Sequence, residues 1–222
     1  MSKSLGNVVR PAVLGSEYGV DSVRYFRWRE MSFGLDSSFS YDSVINRQNS
    51  DLANDLGNLF SRSLTMVKNF CASKVPPPGA AQDSDRELAE AATTMVSEYT
   101  TQMENFAFNR ALQEVWKVIG MANRYIVTNA PWELAKDPAK QEQLDTVLYT
   151  LLETLRLITL TMYPIMPTTA AKMASALGLE SPPNLATQAQ WGLLTAGGAI
   201  PPRPAPPPPP KQQQAPTGPA PN

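Results

Sequence analysis

Histidine is missing from the chain altogether, and cysteine occurs once, at Cys71. Without histidine these residues assemble no His general base and no Cys/His zinc site, and one thiol makes no internal disulfide. No apolar run reaches the roughly eighteen residues a transmembrane helix needs, so none is predicted. No charged-then-apolar leader opens the chain, and this points to a reduced, cytoplasmic setting. Charge is sparse and balanced, with 19 Lys and Arg against 20 Asp and Glu, net −1. The total therefore supplies no strong attraction to nucleic acid, and any RNA contact has to come from local placement. What is present, 42% hydrophobic residues over 222 positions, suffices for one helical core of ordinary size.

The stretch around which the chain is organised runs from Ser40 to about Ser73. Ser40 is an N-cap type, and Asp42 suits a first turn. Ile45, Leu52, Leu56, Leu59, Phe60, Val67 and Cys71 recur at helical spacing and predict one broad apolar face, with the helix stopping before Pro76, Pro77 and Pro78. At 100° per residue, Arg47, Asp51, Asn54, Asn58, Arg62 and Asn69 fall on the opposite side. That polar face is unusual. A solvated face is normally Glu and Lys, whereas Asn46, Asn49, Asn54, Asn58 and Asn69 all lower helix propensity and return hydrogen-bonding edges. Asn and Arg are the side chains that read nucleobases bidentately, but on periodicity alone a solvated face or contacts to a neighbouring segment is the favoured reading.

The opening Met1–Asn7 is small, polar and glycine-punctuated, a loop in which Lys3 between Ser2 and Ser4 offers an ammonium and two hydroxyls to a phosphate. Val13–Glu30 predicts a short amphipathic helix flanked by strand or turn pieces, with Gly15 and Gly34 marking turns. Its Arg24, Arg27 and Arg29 sit among aromatics, a mixture suited to an RNA backbone or to packing against a preceding domain. After a Pro/Gly linker, Ser84-Asp85-Arg86-Glu87 has the form of a capping box. A second helix follows with Leu88, Ala92, Met95, Tyr99 and Met103 inward. A third runs from about Phe108 to Val127 and ends at Pro131, which leaves Trp132 in a connection. Asp137-Pro138 opens a fourth, with Leu144, Val147, Leu148, Leu151, Leu155, Ile158 and Met162 inward. Pro164 and Pro167 break it, and a fifth covers Thr168–Leu177. Short breaks between helices predict an antiparallel bundle. Ser181–Ile200 shows little periodicity. Pro201–Asn222 holds roughly half the prolines and has the composition of a polyproline linker or tail, with an SH3-ligand-like Arg203–Pro207 inside it.

Several of these segments, taken together and in order, resemble class I aminoacyl-tRNA synthetases, and specifically the bacterial type of methionyl-tRNA synthetase. In that family a Lys-Met-Ser-Lys-Ser loop runs into Leu-Gly-Asn-Val-Val, then Tyr-Gly-Val-Asp, Arg-Tyr-Phe, Arg-Glu and Phe-Gly-x-Asp. Here these are Met1–Val9, Tyr18–Asp21, Arg24–Phe26, Arg29–Glu30 and Phe33–Asp36. The likeness continues through Asn49–Leu59 and Ser61-Arg62, then Asn123-Arg124-Tyr125 and Ala130-Pro131-Trp132. Two departures stand out. The first Lys of the loop is absent, and Arg10 stands where Asp is more usual.

The resemblance implies a mainly α chain: residues 1–40 as signature loop and stem-contact segment of mixed structure, 41–199 as an anticodon-binding helix bundle, and 200–222 as a disordered tail. It implies a C-terminal part of a methionine–tRNA ligase whose ATP- and methionine-binding domain lies upstream, so that this part alone is inactive. Lys3 then matches the lysine that reaches the triphosphate of ATP, with Ser2 and Ser4 beside it. Magnesium accompanies ATP as substrate, and no residues here suggest a metal site. Asn58, Arg62 and Trp132 match the residues that read the anticodon of initiator and elongator methionine tRNA. Read without the family, Trp132 is better explained as a partly buried anchor at a helix end. The rival of a different class is a free-standing helical tRNA-binding module without catalysis.

Overall fold

The computed structural model describes residues 11–31, 39–179 and 183–201. Among these the chain is helical, with an isolated antiparallel bridge between Lys74 and Ala199. Two helices, α1 (Pro11–Tyr18) and α2 (Val20–Glu30), take the place of the single short helix expected over Val13–Glu30, and Gly15 lies inside α1 rather than at a turn. Gly34 lies outside the described residues. Tyr25 of α2 is fully buried in the main core.

Ser40 caps the long helical stretch as predicted, its Oγ accepting from Ser43 N–H at 3.1 Å. The stretch is not one regular α-helix. It reads α3 (Tyr41–Arg47), a ten-residue π segment (Gln48–Gly57) and α4 (Asn58–Phe70). The wider π turn re-aims the polar face. Asp51, expected to point outward, is 5% exposed, while Ile45, expected inward, is 39% exposed and Val44 takes its place in the core. Ala72 and Ser73, both at positive φ, turn the chain out of α4 ahead of the prolines.

α5 (Asp83–Glu104) begins one residue before the predicted capping box. Gln82 is the N-cap, and Asp85 rather than Glu87 reaches back, accepting from Gln82 N–H at 2.7 Å. α6 (Phe108–Asn129) returns antiparallel to α5 and ends at Ala130, which is left-handed at φ 41°. A short α7 (Pro131–Leu134) and a 3-10 turn (Pro138–Lys140) capped by Asp137 lead into α8 (Gln141–Met162). α9 (Pro167–Ala176) follows the break at Pro164 and Pro167.

α8 is the axis of the bundle. The predicted apolar stripe is buried, but so is every other residue from Thr146 to Met162. Its inward threonines bond their own helix, Thr154 Oγ1 to Thr150 O at 2.8 Å and Thr159 Oγ1 to Leu155 O at 2.7 Å. Its buried charges pair with each other, Glu153 with Arg156, and grip the aperiodic segment beyond α9. Arg156 donates to the carbonyls of Gln188 and Gln190, and Leu194 N–H donates to Glu153. That segment carries α10 (Leu185–Gln188) and closes on the α4–α5 linker, with Val75 N–H to Gly198 O and Ile200 N–H to Ser73 O, both at 2.8 Å. The segment from 183 to 201 is thus a strap belted over the bundle, with Leu194 and Ile200 in its core.

Candidate nucleic-acid interface

The π segment places Asn58. Asn58 N–H donates to Ala53 O, five residues back, and a Cβ added at Gly57 would lie 2.9 Å from Leu52 O. The wide turn therefore selects glycine at its last position. Asn58 and, one α-turn on, Arg62 emerge exposed on α4. Neither side chain has a hydrogen bond or ion pair among the described residues.

Upstream on the same helical stretch, Arg47, Ser50 and Asp51 are committed. Asp51 accepts from Tyr25 Oη at 2.6 Å, from Ser50 Oγ at 2.7 Å and from Arg47 at 3.1 Å, with Arg29 Nε at 3.8 Å. Arg47 also pairs with Glu30. Burial, reinforced by the Asp51 carboxylate, pushes the Tyr25 phenol far above its ordinary value, so it stays a donor. The arginine and aromatic cluster of α2 is largely spent in the same way. Arg24 donates to the carbonyls of Ile165 and Pro164, both at 2.8 Å, in the turn after α8, and Arg29 faces Asp51. These two make contacts within this bundle. Arg27 remains exposed.

Trp132 comes from the other side. Pro131 and Leu134 are buried, so α7 turns Trp132 outward, and it is 41% exposed. Three contacts place it relative to α4. Cys71, at the end of α4, lies 3.8 Å from Asp145 at the start of α8. Leu52, Leu56 and Phe60 share a cleft with Met166 and Met173, beyond the other end of α8. α4 thus runs antiparallel to α8 and parallel to α6. Asn123 Nδ2 donates to Asp55 O at 3.3 Å and fixes the relative level. At 1.5 Å per residue, Arg62 is about 10 Å beyond Asp55 and Asn129 about 9 Å beyond Asn123. Arg62 and the α6–α7 corner that carries Trp132 therefore share one end of the bundle. Val127, four residues after Asn123 and 62% exposed, adds an apolar side chain that the sequence reading did not single out. Lys3, Ser2 and Ser4 lie outside the described residues.

Among the described residues no group of three or more His, Cys, Asp or Glu could hold a metal ion, and no helix is long and apolar enough to cross a membrane. Cys71 is half-buried, and burial, with the Asp145 carboxylate beside it, pushes its thiol up to about 12.

Comparison with known proteins gives the class first. Residues 1–64 match the family of class I tRNA synthetases (M). Residues 75–202 match the anticodon binding domain of methionyl tRNA ligase. The chain belongs to the methionyl-tRNA ligase family. It is 44% identical over 197 residues to the methionine–tRNA ligase of Caldanaerobacter subterraneus subsp. tengcongensis, covering 89% of this chain and 31% of that protein. It is 40% identical over 221 residues to the Mycobacterium bovis enzyme, covering 98% of this chain and 42% of that protein. The crystal structure of Mycobacterium tuberculosis methionyl-tRNA synthetase bound by methionyl-adenylate superposes with a TM-score of 0.84 at 40% identity, covering 90% of this chain and 40% of that one. The chain thus spans less than half the length of these relatives.

Proposed function

We propose that this chain supplies the anticodon-reading bundle and the ATP-phosphate loop of a methionine–tRNA ligase acting in the cytoplasm. Residues 1–40 carry the loop and stem contact, 41–199 the reading bundle, and 200–222 a tail. The observation that carries the reading is the placement of unpartnered side chains of α4 at the bundle end that also presents Trp132. Arg47 and Asp51 are fully engaged, while Asn58 and Arg62 stand bare at the end of the bundle that also presents Trp132. Asn58 and Arg62 offer donors and acceptors to base edges, and Trp132 offers a plane on which an unstacked loop base can lie. The partners are initiator and elongator methionine tRNA, which share an anticodon.

In the complete ligase the methionine carboxylate attacks the α-phosphorus of ATP, forming methionyl-adenylate and releasing pyrophosphate. A ribose hydroxyl of the terminal tRNA adenosine then takes the methionyl group and releases AMP. Lys3, with Ser2 and Ser4, neutralises phosphate charge as the first step proceeds, and magnesium enters with ATP as substrate. Methionine and adenine are held by the domain that the longer relatives carry. Lys3→Ala in a complete ligase lowers methionine-dependent ATP–pyrophosphate exchange and leaves methionine affinity nearly unchanged.

The test of the anticodon assignment is binding of the 222-residue chain to an RNA hairpin bearing the methionine anticodon and to one with an altered anticodon. Selective binding of the first is expected. Equal binding of both overturns the assignment, as does selectivity that survives loss of Asn58, Arg62 and Trp132 together.

A further inference from the structure

Trp132 sits on a corner whose backbone is held in an uncommon conformation. Ala130, left-handed without being glycine, is strained and persists only where its surroundings fix it. The corner's own bonds are those of any short helix: Ala130 N–H to Ile126 O, and Glu133 N–H to Ala130 O. The fixing comes from one turn further back and from another helix. Tyr125 is 6% exposed, and its hydroxyl donates to Asp85, which is 3% exposed. The other oxygen of Asp85 holds Gln82 N–H, so the carboxylate is anchored to the first turn of α5. One turn on, Asn129 Nδ2 donates to Tyr125 O at 3.0 Å, and Asn129 Oδ1 accepts from Ser84 Oγ at 3.3 Å. The last turn of α6 is thus pinned twice to Ser84 and Asp85, and Asn129 directly precedes Ala130.

Cohesion does not require these polar groups. Leu88, Ala122 and Ile126 fill the core between the two helices, and an apolar pair in place of Tyr125 and Asp85 would bury as well. The polar pair adds direction. A hydroxyl–carboxylate bond fixes both the rotation and the level of one helix end against the other, whereas apolar contacts tolerate sliding.

We infer that Asp85 and Tyr125, supported by Ser84 and Asn129, are positioning residues that aim Trp132 at the RNA. The use of the aim rests on the anticodon reading proposed above, but the aim itself is measurable without RNA. With 5-fluorotryptophan in the full chain, Trp28, Trp116, Trp132 and Trp191 each give a fluorine resonance. Tyr125→Phe is expected to shift or broaden the Trp132 resonance and leave the other three in place. An unmoved Trp132 resonance overturns the inference. If Tyr125→Phe does not fold, Asn129→Ala breaks the second pin from a half-buried site and is judged by the same resonance.

Hairpin binding gives the second readout. Tyr125→Phe is expected to weaken the methionine-anticodon hairpin about three- to tenfold, and to have no further effect in a Trp132→Ala background. The same loss in both backgrounds overturns the inference, because Tyr125 then acts by another route. If Trp132→Ala itself leaves binding unchanged, the stacking role fails, and the resonance alone decides whether the pins position the ring.

Discussion

Two long helical stretches of this protein treat polar residues in opposite ways. In α8, Glu153, Arg156 and the inward threonines are all buried; Glu153 and Arg156 pair with each other and with the strap, and Thr154 and Thr159 bond their own helix. Along Tyr41–Phe70, Arg47, Ser50 and Asp51 are paired within the protein, whereas Asn58 and Arg62 stand exposed with no partner among the described residues. A buried polar group has to be paired or it costs stability, whereas an exposed one is free to wait for an external partner. The difference separates residues that hold the fold from residues available for recognition. It also predicts that the two kinds of substitution give opposite phenotypes.

The largest effect is expected at α8. Glu153→Ala leaves Arg156 as a buried, uncompensated charge and frees Leu194 N–H, so denaturant unfolding should show a loss of about 3–5 kcal/mol. A loss below about 1 kcal/mol would mean that the strap does not depend on the pair, and the contrast with α4 would collapse.

Trp132→Ala comes next and should have the complementary phenotype. Removal of a stacking plane worth on the order of 1–3 kcal/mol weakens the methionine-anticodon hairpin roughly ten- to hundredfold, with little change in unfolding. Arg62→Ala should cost about tenfold, also without a stability change. If either variant melts early and binds both hairpins equally weakly, the residue belongs with the structural set.

A smaller effect concerns Cys71. Its thiol, raised by burial to about 12 from an ordinary 9.0, should alkylate at pH 8 at least about tenfold more slowly than an unhindered thiol. Because the folded value is the higher one, the fold holds this proton more tightly than the unfolded chain does. Cys71 therefore removes stability as pH rises from about 9 to about 12, and Cys71→Ala should flatten that part of the stability profile. Rapid alkylation of the folded chain would contradict the burial at the α4–α8 contact.

The smallest effect sharpens the boundary of the strap. Deleting Pro201–Asn222 should leave the melting midpoint unchanged, since its composition offers little apolar surface to bury. Ending the chain at Gln190 removes Leu194 and Ile200 from the core and should lower the midpoint clearly. Equal midpoints for the two truncations would show that the strap adds nothing.

The sequence by itself determined where most helices begin and end. Ser40, Asp137-Pro138, Pro131, Pro164 and Pro167 act through local capping and steric rules that need no distant partner. It also determined the apolar stripes of α5 and α8, and its ordered motifs were enough to reach the family. Tertiary structure alone decided which polar residues turn inward. Asp51 is buried because Tyr25 and Arg29, more than twenty residues earlier, close over it, and a π turn swings it there. Asp85 is buried because Tyr125 meets it from α6. The full burial of α8 and the docking of the aperiodic strap have the same origin. Periodicity reports the polarity of one helix taken alone, whereas the cost of burying a charge depends on a partner supplied from elsewhere in the chain.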